Sequence, residues 1–471
     1  MSIKGYYLMP HPPLIIPEVG KGQEKKIQKT IDSMNQIGQE IKELSPKTIV
    51  LISPHGTMFE DRIAIVNERN IEGDLSQFGV PDVSMNLKIN QQLSEKIYEL
   101  STNDDLPVVL DDEELLEHYN VNLKLDHGAI VPLYYVNKYY SDYNLIHITY
   151  APISDLELYK FGINITKAVE SLDEDVVIIS SGDLSHRLKD EGPYDYSPYG
   201  KQFDTSFIDN LKSGDILSHF KMDKKIISEA GECGRRSVLI MLGALDGTRF
   251  DGELLSYEGT FGVGYGVIRI SPKGEVQSKL NDIEALLSKH KENKLTQNDP
   301  YVKLARESLT TYLNTGKRMT LIPDYVTEDM KNKKRGVFVS LKKHGELRGC
   351  IGTILPTTDS VAEEIIRNSI EAGCHDPRFY EVKEDELLDI DFSVDVLTEP
   401  EPTNVSELDP KKYGVIVYNN TRRGLLLPDL EGVNTVEEQL SIALRKAGIE
   451  PDKDYKIKRF EVIRHRESNI N

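Results

Sequence analysis

The first half of the chain alternates short, continuous apolar runs with longer stretches whose apolar residues recur at helical spacing. Strands are predicted at 4–10 ("KGYYLMP"), 47–53 ("KTIVLIS"), 62–67 ("RIAIVN"), 144–150 ("NLIHITY"), 175–181 ("DVVIISS") and 265–270 ("YGVIRI"). Runs such as "TIVLI" and "VVIIS" lack polar alternation, the pattern of strands covered on both faces. Helices are predicted between several of them, at 23–44, 88–100, 154–171 and 231–245. Alternation of this kind predicts an α/β fold, with helices on both faces of a mostly parallel or mixed sheet.

The pattern changes after residue 270. Residues 271–298 are polar apart from the amphipathic segment "IEALLSKH", and read as a linker with room for one helix. From 299 a helix ("DPYVKLARESLTTYLN") is followed by strands at 336–342, 389–397, 413–419 and 424–428, with helices near 360–374 and 435–447. Strands with segregated helices predict an α+β domain. The expected organisation is therefore 1–270, a polar linker at 271–298, and 299–471. At 471 residues the chain exceeds one ordinary core.

Composition narrows the class. A hydrophobic fraction of 39% and a charged fraction of 28% fit a soluble globular protein. No apolar run approaches the ~18–20 residues that span a bilayer, and the N-terminus lacks the apolar core of a signal peptide. A cytoplasmic protein without membrane association is expected. A net charge of −20 argues against a nucleic-acid partner, and the basic stretch "KNKKRG" reads as a solvated loop. Three cysteines without a CxxC pair make no disulfide framework and suggest a reducing compartment. No feature of the chain specifies an oligomeric state.

Histidine placement is more informative. His11 follows "GYYLMP", His55 lies in "VLISPHG" and His186 in "IISSGDLSH", each just past the C-terminal end of a predicted strand. Ligand sites in open α/β sheets form in the crevice outside those ends. His127, in "LDHGAIVPLYY", stands at a predicted helix start after an acidic residue. A lone loop histidine is more often solvated or capping than catalytic, and His118, His147 and His219 take that reading, His147 as a sheet residue. Three strand-end imidazoles together favour a metal site.

A third ligand is available in "AGECGRR", where Glu232 adjoins Cys233 between glycines. Two imidazoles and a carboxylate leave the open positions of a non-haem Fe(II) oxygen-activating site. A thiolate would instead favour zinc or copper. Adjacent residues on a helix point ~100° apart, so both cannot face the metal equally. The residues leave the choice open. Histidines close to the metal but not bound to it would serve as acid and base.

In order along the chain, "HPPLI", "SPHG", "DHG", "SSGDLSH" and "GECGRRS" resemble the class III extradiol ring-cleavage dioxygenases (LigB-type) and their Memo-like relatives, over about residues 1–270. The resemblance implies Fe(II), O2 and a catechol-like aromatic substrate. It implies His11 and His55 as metal ligands, with Glu232 or Cys233 as the third. His127 and His186 would be the acid/base pair and Asp183 an orienting group. The "CGR" after Glu232 is similar to the Memo-like branch, where cysteine takes the third position.

The second half contains "HGELRGCIG" (344–352), with Arg348 two residues from Cys350. A neighbouring guanidinium can lower a thiol pKa and make a nucleophile. Composition alone favours a buried Cys350 and a structural Arg348. With "CHDPRF", "SVDVLTEPEP" and "RRGLLLPDL", the motif closely resembles the AMMECR-type domain over about 299–465. That resemblance nominates Arg348, Cys350, His375, Asp376 and Arg378, without attaching a reaction to them. The fusion resembles the architecture called AmmeMemoRadiSam system protein A, which implies a radical-SAM partner. The chain has no CxxxCxxC of its own to hold that cluster. Three functions follow as expectations: an extradiol-type oxidoreductase, a non-dioxygenase component of a modification system, or a binding module with a vestigial site.

Overall fold

The apolar runs become central strands because their β-branched residues suit a pleated surface covered on both sides. The structure, a computed structural model, describes residues 3–467 apart from 112–114, 116–122, 193, 296–298, 344, 431 and 451–452. Two compact units, Met1–Leu286 and Leu287–Asn471, divide the chain.

Among the described residues, ten strands belong to the first unit: β1 (Ile3–Met9), β2 (Thr48–Ser53), β3 (Ile63–Val66), β4 (Asn70–Leu75), β5 (Val80–Lys88), β6 (Val108–Asp111), β7 (Asn144–Thr149), β8 (Val176–Ser181), β9 (Thr248–Glu258) and β10 (Tyr265–Glu275). Among the described residues, eight form one sheet in the order β6-β3-β7-β2-β8-β1-β10-β9. Its centre, β7-β2-β8-β1, is parallel. The β10 and β9 strands add antiparallel on one side, and β3 joins β7 antiparallel on the other. The sheet is mixed, as the α/β reading allowed. Every residue of β2 and β8 is buried.

Parallel pairing sets up the site. Met9 lies opposite Ser181, and Ser53 opposite Thr149. The chain therefore leaves β1, β2 and β8 at a common edge, and the loops bearing His11, His55 and His186 emerge there side by side.

Three departures from the sequence pattern matter. The helix expected at 231–245 begins only at Arg235 and runs Arg235–Ala244, so Glu232 and Cys233 sit in the preceding turn, where Gly231 takes a positive φ of 61°. A two-stranded β4–β5 hairpin stands apart from the main sheet; β4 carries little apolar alternation, whereas Val83, Met85 and Leu87 alternate with polar residues along β5 and were the available signal. The expected linker is partly ordered structure of the first unit. Strand β10 continues to Glu275, and a helix covers Leu280–Leu295. Its start is held by Lys279 N–H donating to Asp246 (2.8 Å), buried Ile283 and a Lys160–Glu284 pair (2.7 Å).

The second unit contains β11 (Val337–Lys343), β12 (Glu346–Gly352), β13 (Ile390–Leu397), β14 (Glu401–Pro402), β15 (Gly414–Tyr418), β16 (Arg423–Leu426), β17 (Lys456–Phe460) and β18 (Val462–Arg466). Among the described residues these make two four-stranded sheets, β12-β11-β13-β18 and β14-β17-β15-β16, with antiparallel pairing. Helices Pro300–Thr315 and Val361–Cys374 share a core with the first sheet, and Val436–Ala447 with the second. This is the expected α+β arrangement. The "ELRGCIG" motif is itself strand β12. Glycine at 349 has a steric cause, since a Cβ there would lie 2.1 Å from the Ala372 carbonyl oxygen. Among the described residues, no helix is long and apolar enough to cross a membrane.

Candidate metal centre

His11 is fixed before any ligand arrives. Its backbone N–H donates to Asp183 (2.9 Å), and its Nδ1 lies 2.9 Å from the Ser181 hydroxyl at the end of β8. That hydroxyl donates its single proton to the Gly128 carbonyl. It can therefore only accept from His11, which assigns the proton to Nδ1 and leaves the Nε2 lone pair free. Orientation of a ligand imidazole through its other nitrogen is the usual support of a metal site.

Around His11 Nε2 the donors converge. His55 Nε2 lies at 3.0 Å and Cys233 Sγ at 3.6 Å. The three ligand atoms all fall within 4.8 Å of one another. An ion held at ~2.0–2.1 Å from nitrogen and ~2.3 Å from sulfur separates its donors by roughly 3.0–3.7 Å. Both edges at His11 lie in that range, and with the third pair inside 4.8 Å the donor set can close on a metal ion. His55 is exposed while His11 is only 2% exposed, which leaves the group open on one side.

Cys233 reaches this position because two loops cross backbone to backbone. A Cβ at Gly182 would stand 2.1 Å from the Gly234 Cα. The crossing lets Cys233 N–H donate to the Asp183 carbonyl (3.3 Å) and Asp183 N–H donate to the sulfur (3.3 Å). Tyr150 pins the Cys233 carbonyl with its hydroxyl (2.9 Å). Glu232 is directed elsewhere. Its carboxylate accepts from Arg235 N–H at 2.6 Å, at the start of the following helix, where negative charge is favoured. Arg235 is in turn paired with Asp155.

The two remaining histidines flank the group on different sides. His127 opens the His127–Asn137 helix, which Asp126 caps by accepting from Ala129 N–H. The His127 ring stacks on His55 with centroids 4.4 Å apart. His186 Nε2 lies 3.7 Å from Cys233 Sγ. Asp183 touches the backbone of His11 and surrounds the sulfur with main-chain groups, and makes no hydrogen bond to either flanking ring among the contacts described.

Burial governs the protonation of these groups. It lowers His11 well below the usual imidazole value, helped by His55, and it lowers His55 and His186 as well. His127 is pushed down to about 4 by burial and then by His55 and His11. Burial raises Asp183 to about 6 and drives the Cys233 thiol well above its ordinary range. The rings are therefore neutral near pH 7, the form that ligates metals or accepts protons.

Sequence reasoning missed Asp126 and the strand-end serines. Asp126 accepts from Ser53 (2.6 Å) and meets His147 Nε2 at 2.8 Å. Burial would raise its carboxyl, but the His147 and Ser53 hydrogen bonds outweigh that and hold it well below the carboxylate range. The available signal was the serine closing each of "TIVLIS" and "VVIISS". His147 is the β7 sheet residue expected. His219 is buried against Phe207. His118 lies outside the described residues.

In the second unit the nominated residues form a different kind of cluster. Arg348 makes no contact with Cys350 among those described. It pairs with Glu386 through two nitrogens (3.0 and 3.2 Å) and donates to the Tyr380 and Glu381 carbonyls (2.7 and 3.2 Å). Cys350 Sγ lies 3.2 Å from the Ser340 hydroxyl on β11. Its backbone N–H donates to Asp376 (2.9 Å), and Arg378 donates to its carbonyl (3.1 Å) while pairing with Asp376 (2.7 Å). His375 caps the Val361–Cys374 helix and pairs with Glu371 at 3.4 Å.

A mixed sheet carrying such a donor group at its strand ends defines a LigB-like domain. Residues 5–268 match the family described as the catalytic LigB subunit of aromatic ring-opening dioxygenase, and the chain belongs to that family. Residues 302–465 match AMMECR1, so the chain carries that domain too. It is similar to the protein CA_C1420 of Clostridium acetobutylicum, with 58% identity over 468 residues, 99% of this chain and 100% of the relative. A Thermotoga maritima protein is 54% identical over 171 residues, 36% of this chain and 97% of that one. Among solved structures, an uncharacterized protein from Pyrococcus horikoshii is 32% identical, with a TM-score of 0.32 over 35% of this chain and 88% of its own.

Proposed function

We propose that the first unit holds a metal ion through His11, His55 and Cys233, and that it serves as a metal- and substrate-binding component of a radical-SAM-associated modification system. One observation carries this reading. The sulfur of Cys233 stands with the two imidazole nitrogens, whereas the Glu232 carboxylate is tied to the Arg235 backbone. A thiolate donor favours zinc, copper or a thiolate-ligated iron over the carboxylate-held Fe(II) of a ring-cleaving site.

The chain's own residues supply the proton chemistry. The Cys233 proton can pass to His186 Nε2 at 3.7 Å as the thiol ionises. His11 presents Nε2 because Ser181 holds Nδ1. Asp126 anchors the start of the helix that carries His127. A bound metal would supply Lewis acidity, acidifying a ligand hydroxyl or the thiol itself.

A second reading, extradiol cleavage of a catechol-like substrate with Fe(II) and O2, is favoured by the LigB family membership and by the two neutral histidines flanking the group. Anaerobic purification with metal analysis, then cobalt substitution, separates the two. A cobalt–thiolate charge-transfer band that disappears in Cys233→Ala and persists in Glu232→Gln supports the first. Loss of metal in Glu232→Gln with retention in Cys233→Ala would overturn it in favour of the second.

A further inference from the structure

The glycine after each of two histidines makes room for one buried carboxylate. A Cβ at Gly56, beside His55, would lie 2.1 Å from the Thr149 hydroxyl, 2.8 Å from His147 Cε1 and 3.3 Å from Asp126 Oδ2. A Cβ at Gly128, beside His127, would lie 2.6 Å from the Ser53 hydroxyl and 2.8 Å from Asp126 Oδ1. The backbones that present His55 and His127 thus both close on Asp126, whose side chain is only 7% exposed.

Hydrogen bonds occupy both carboxylate oxygens. Oδ1 accepts from the Ser53 hydroxyl (2.6 Å) and from Ala129 N–H (3.2 Å), the second at the start of the His127 helix. Ser53 in turn accepts from the His55 backbone N–H (3.2 Å). Oδ2 meets His147 Nε2 at 2.8 Å. An ionised carboxylate can only accept, which assigns a proton to that nitrogen. His147 is 1% exposed on β7, and its Nδ1 is buried with no hydrogen-bond partner among the described residues. An apolar side chain would fill this place in the sheet without leaving a nitrogen unsatisfied. What the imidazole supplies there is the single N–H that it gives to Asp126.

We propose that Asp126 and His147 are a positioning pair for the first unit's metal group. His147 holds the carboxylate in place; the carboxylate then fixes the loop of the ligand His55 through Ser53, and the helix start at His127 directly. The assignment rests on the metal reading above and extends it from the donors to the residues that set their backbones. His186 lies outside this control. Its loop is held by another carboxylate, Asp204, which accepts from Ser185 N–H (2.7 Å), and by His186 N–H donating to the Ala230 carbonyl (3.1 Å). The two flanking histidines are therefore separable by substitution.

Two measurements on the full chain test the pair. Ring resonances of isotope-labelled histidine, assigned by single substitution, are followed without metal, and zinc affinity is measured by competition with a chelator. Asp126→Ala and His147→Leu should move the His55 and His127 signals, leave that of His186 in place, and weaken zinc binding by about ten- to a hundredfold. His147→Gln returns an N–H at the same number of bonds from the backbone, and should bring both signals and the zinc affinity back toward wild type. A residue that merely fills the sheet would be replaced better by leucine than by glutamine. Unchanged signals and affinity in His147→Leu overturn the assignment, as does a glutamine variant no better than the leucine one. Movement of the His186 signal along with the other two overturns it as well, in favour of a general loosening. Failure of the wild-type chain to take up zinc removes the metal reading, while the metal-free signals still decide whether the pair positions the two histidines.

Discussion

Two cysteines, one in each unit, sit in glycine-bounded motifs, yet their surroundings are opposite. Cys233 is buried among neutral imidazoles with a thiol that burial and Asp183 push up, and no cation among its described neighbours balances a thiolate. Cys350 lies on β12, and the carboxylate and guanidinium beside it, Asp376 and Arg378, already neutralise each other and satisfy the Cys350 backbone. Arg378 pulls Asp376 down to about 2. The first environment lacks the positive charge that a bound metal ion would supply; the second is electrically complete. A cysteine in a conspicuous motif is thus interpretable only with the charge balance around it.

The largest test of that contrast is the ligand set. His11→Ala or Cys233→Ala should weaken metal binding by more than about a hundredfold, beyond the range of supporting residues, whereas Cys350→Ser should leave metal stoichiometry unchanged. Metal analysis after dialysis reads both, and a loss in Cys350→Ser would erase the distinction. Next comes the support of His11. Ser181→Ala should cost about ten- to a hundredfold in metal affinity by releasing the Nδ1 hydrogen bond, measured by competition with a chelator.

In the second unit the expected effects are on stability. Arg348→Met should destabilise it by about 2 kcal/mol, because Glu386 loses charge-assisted hydrogen bonds, while metal content is untouched. Denaturant unfolding of the full chain checks this. The smallest effect is with pH. Burial would raise Glu386, but hydrogen bonds from Arg348 and Lys343 outweigh it and hold it at about 2. Its folded pKa lies below the ordinary 4.5, so this stabilisation is complete above pH ~4.5 and is lost as pH falls toward ~2. Thermal unfolding should show that slope in wild type and a flatter one in Glu386→Gln.

The parts of this molecule legible in the sequence are those set by short-range signals. Unbroken apolar runs marked β1, β2, β7 and β8, and parallel pairing then placed the three strand-end histidines at one edge. The choice between Glu232 and Cys233 was hidden because it depends on where a helix starts. That start is set by Glu232 itself accepting from Arg235, and by two loops meeting at glycines distant in sequence. Asp126 was hidden because its partners, Ser53 and His147, lie on neighbouring strands. Strand β4, "NIEGDL", and strand β12, "ELRGCIG", have compositions poor in strand formers and are held by tertiary contacts.

The crossing of Gly182 and Gly234 means that the site can be disarmed without altering any of its donors. One added methyl group at Gly182 would meet the Gly234 Cα at 2.1 Å and wedge the Cys233 turn away from the histidines. The proposed metal-binding capacity of this unit would therefore be stored as much in the absence of two side chains as in the presence of three.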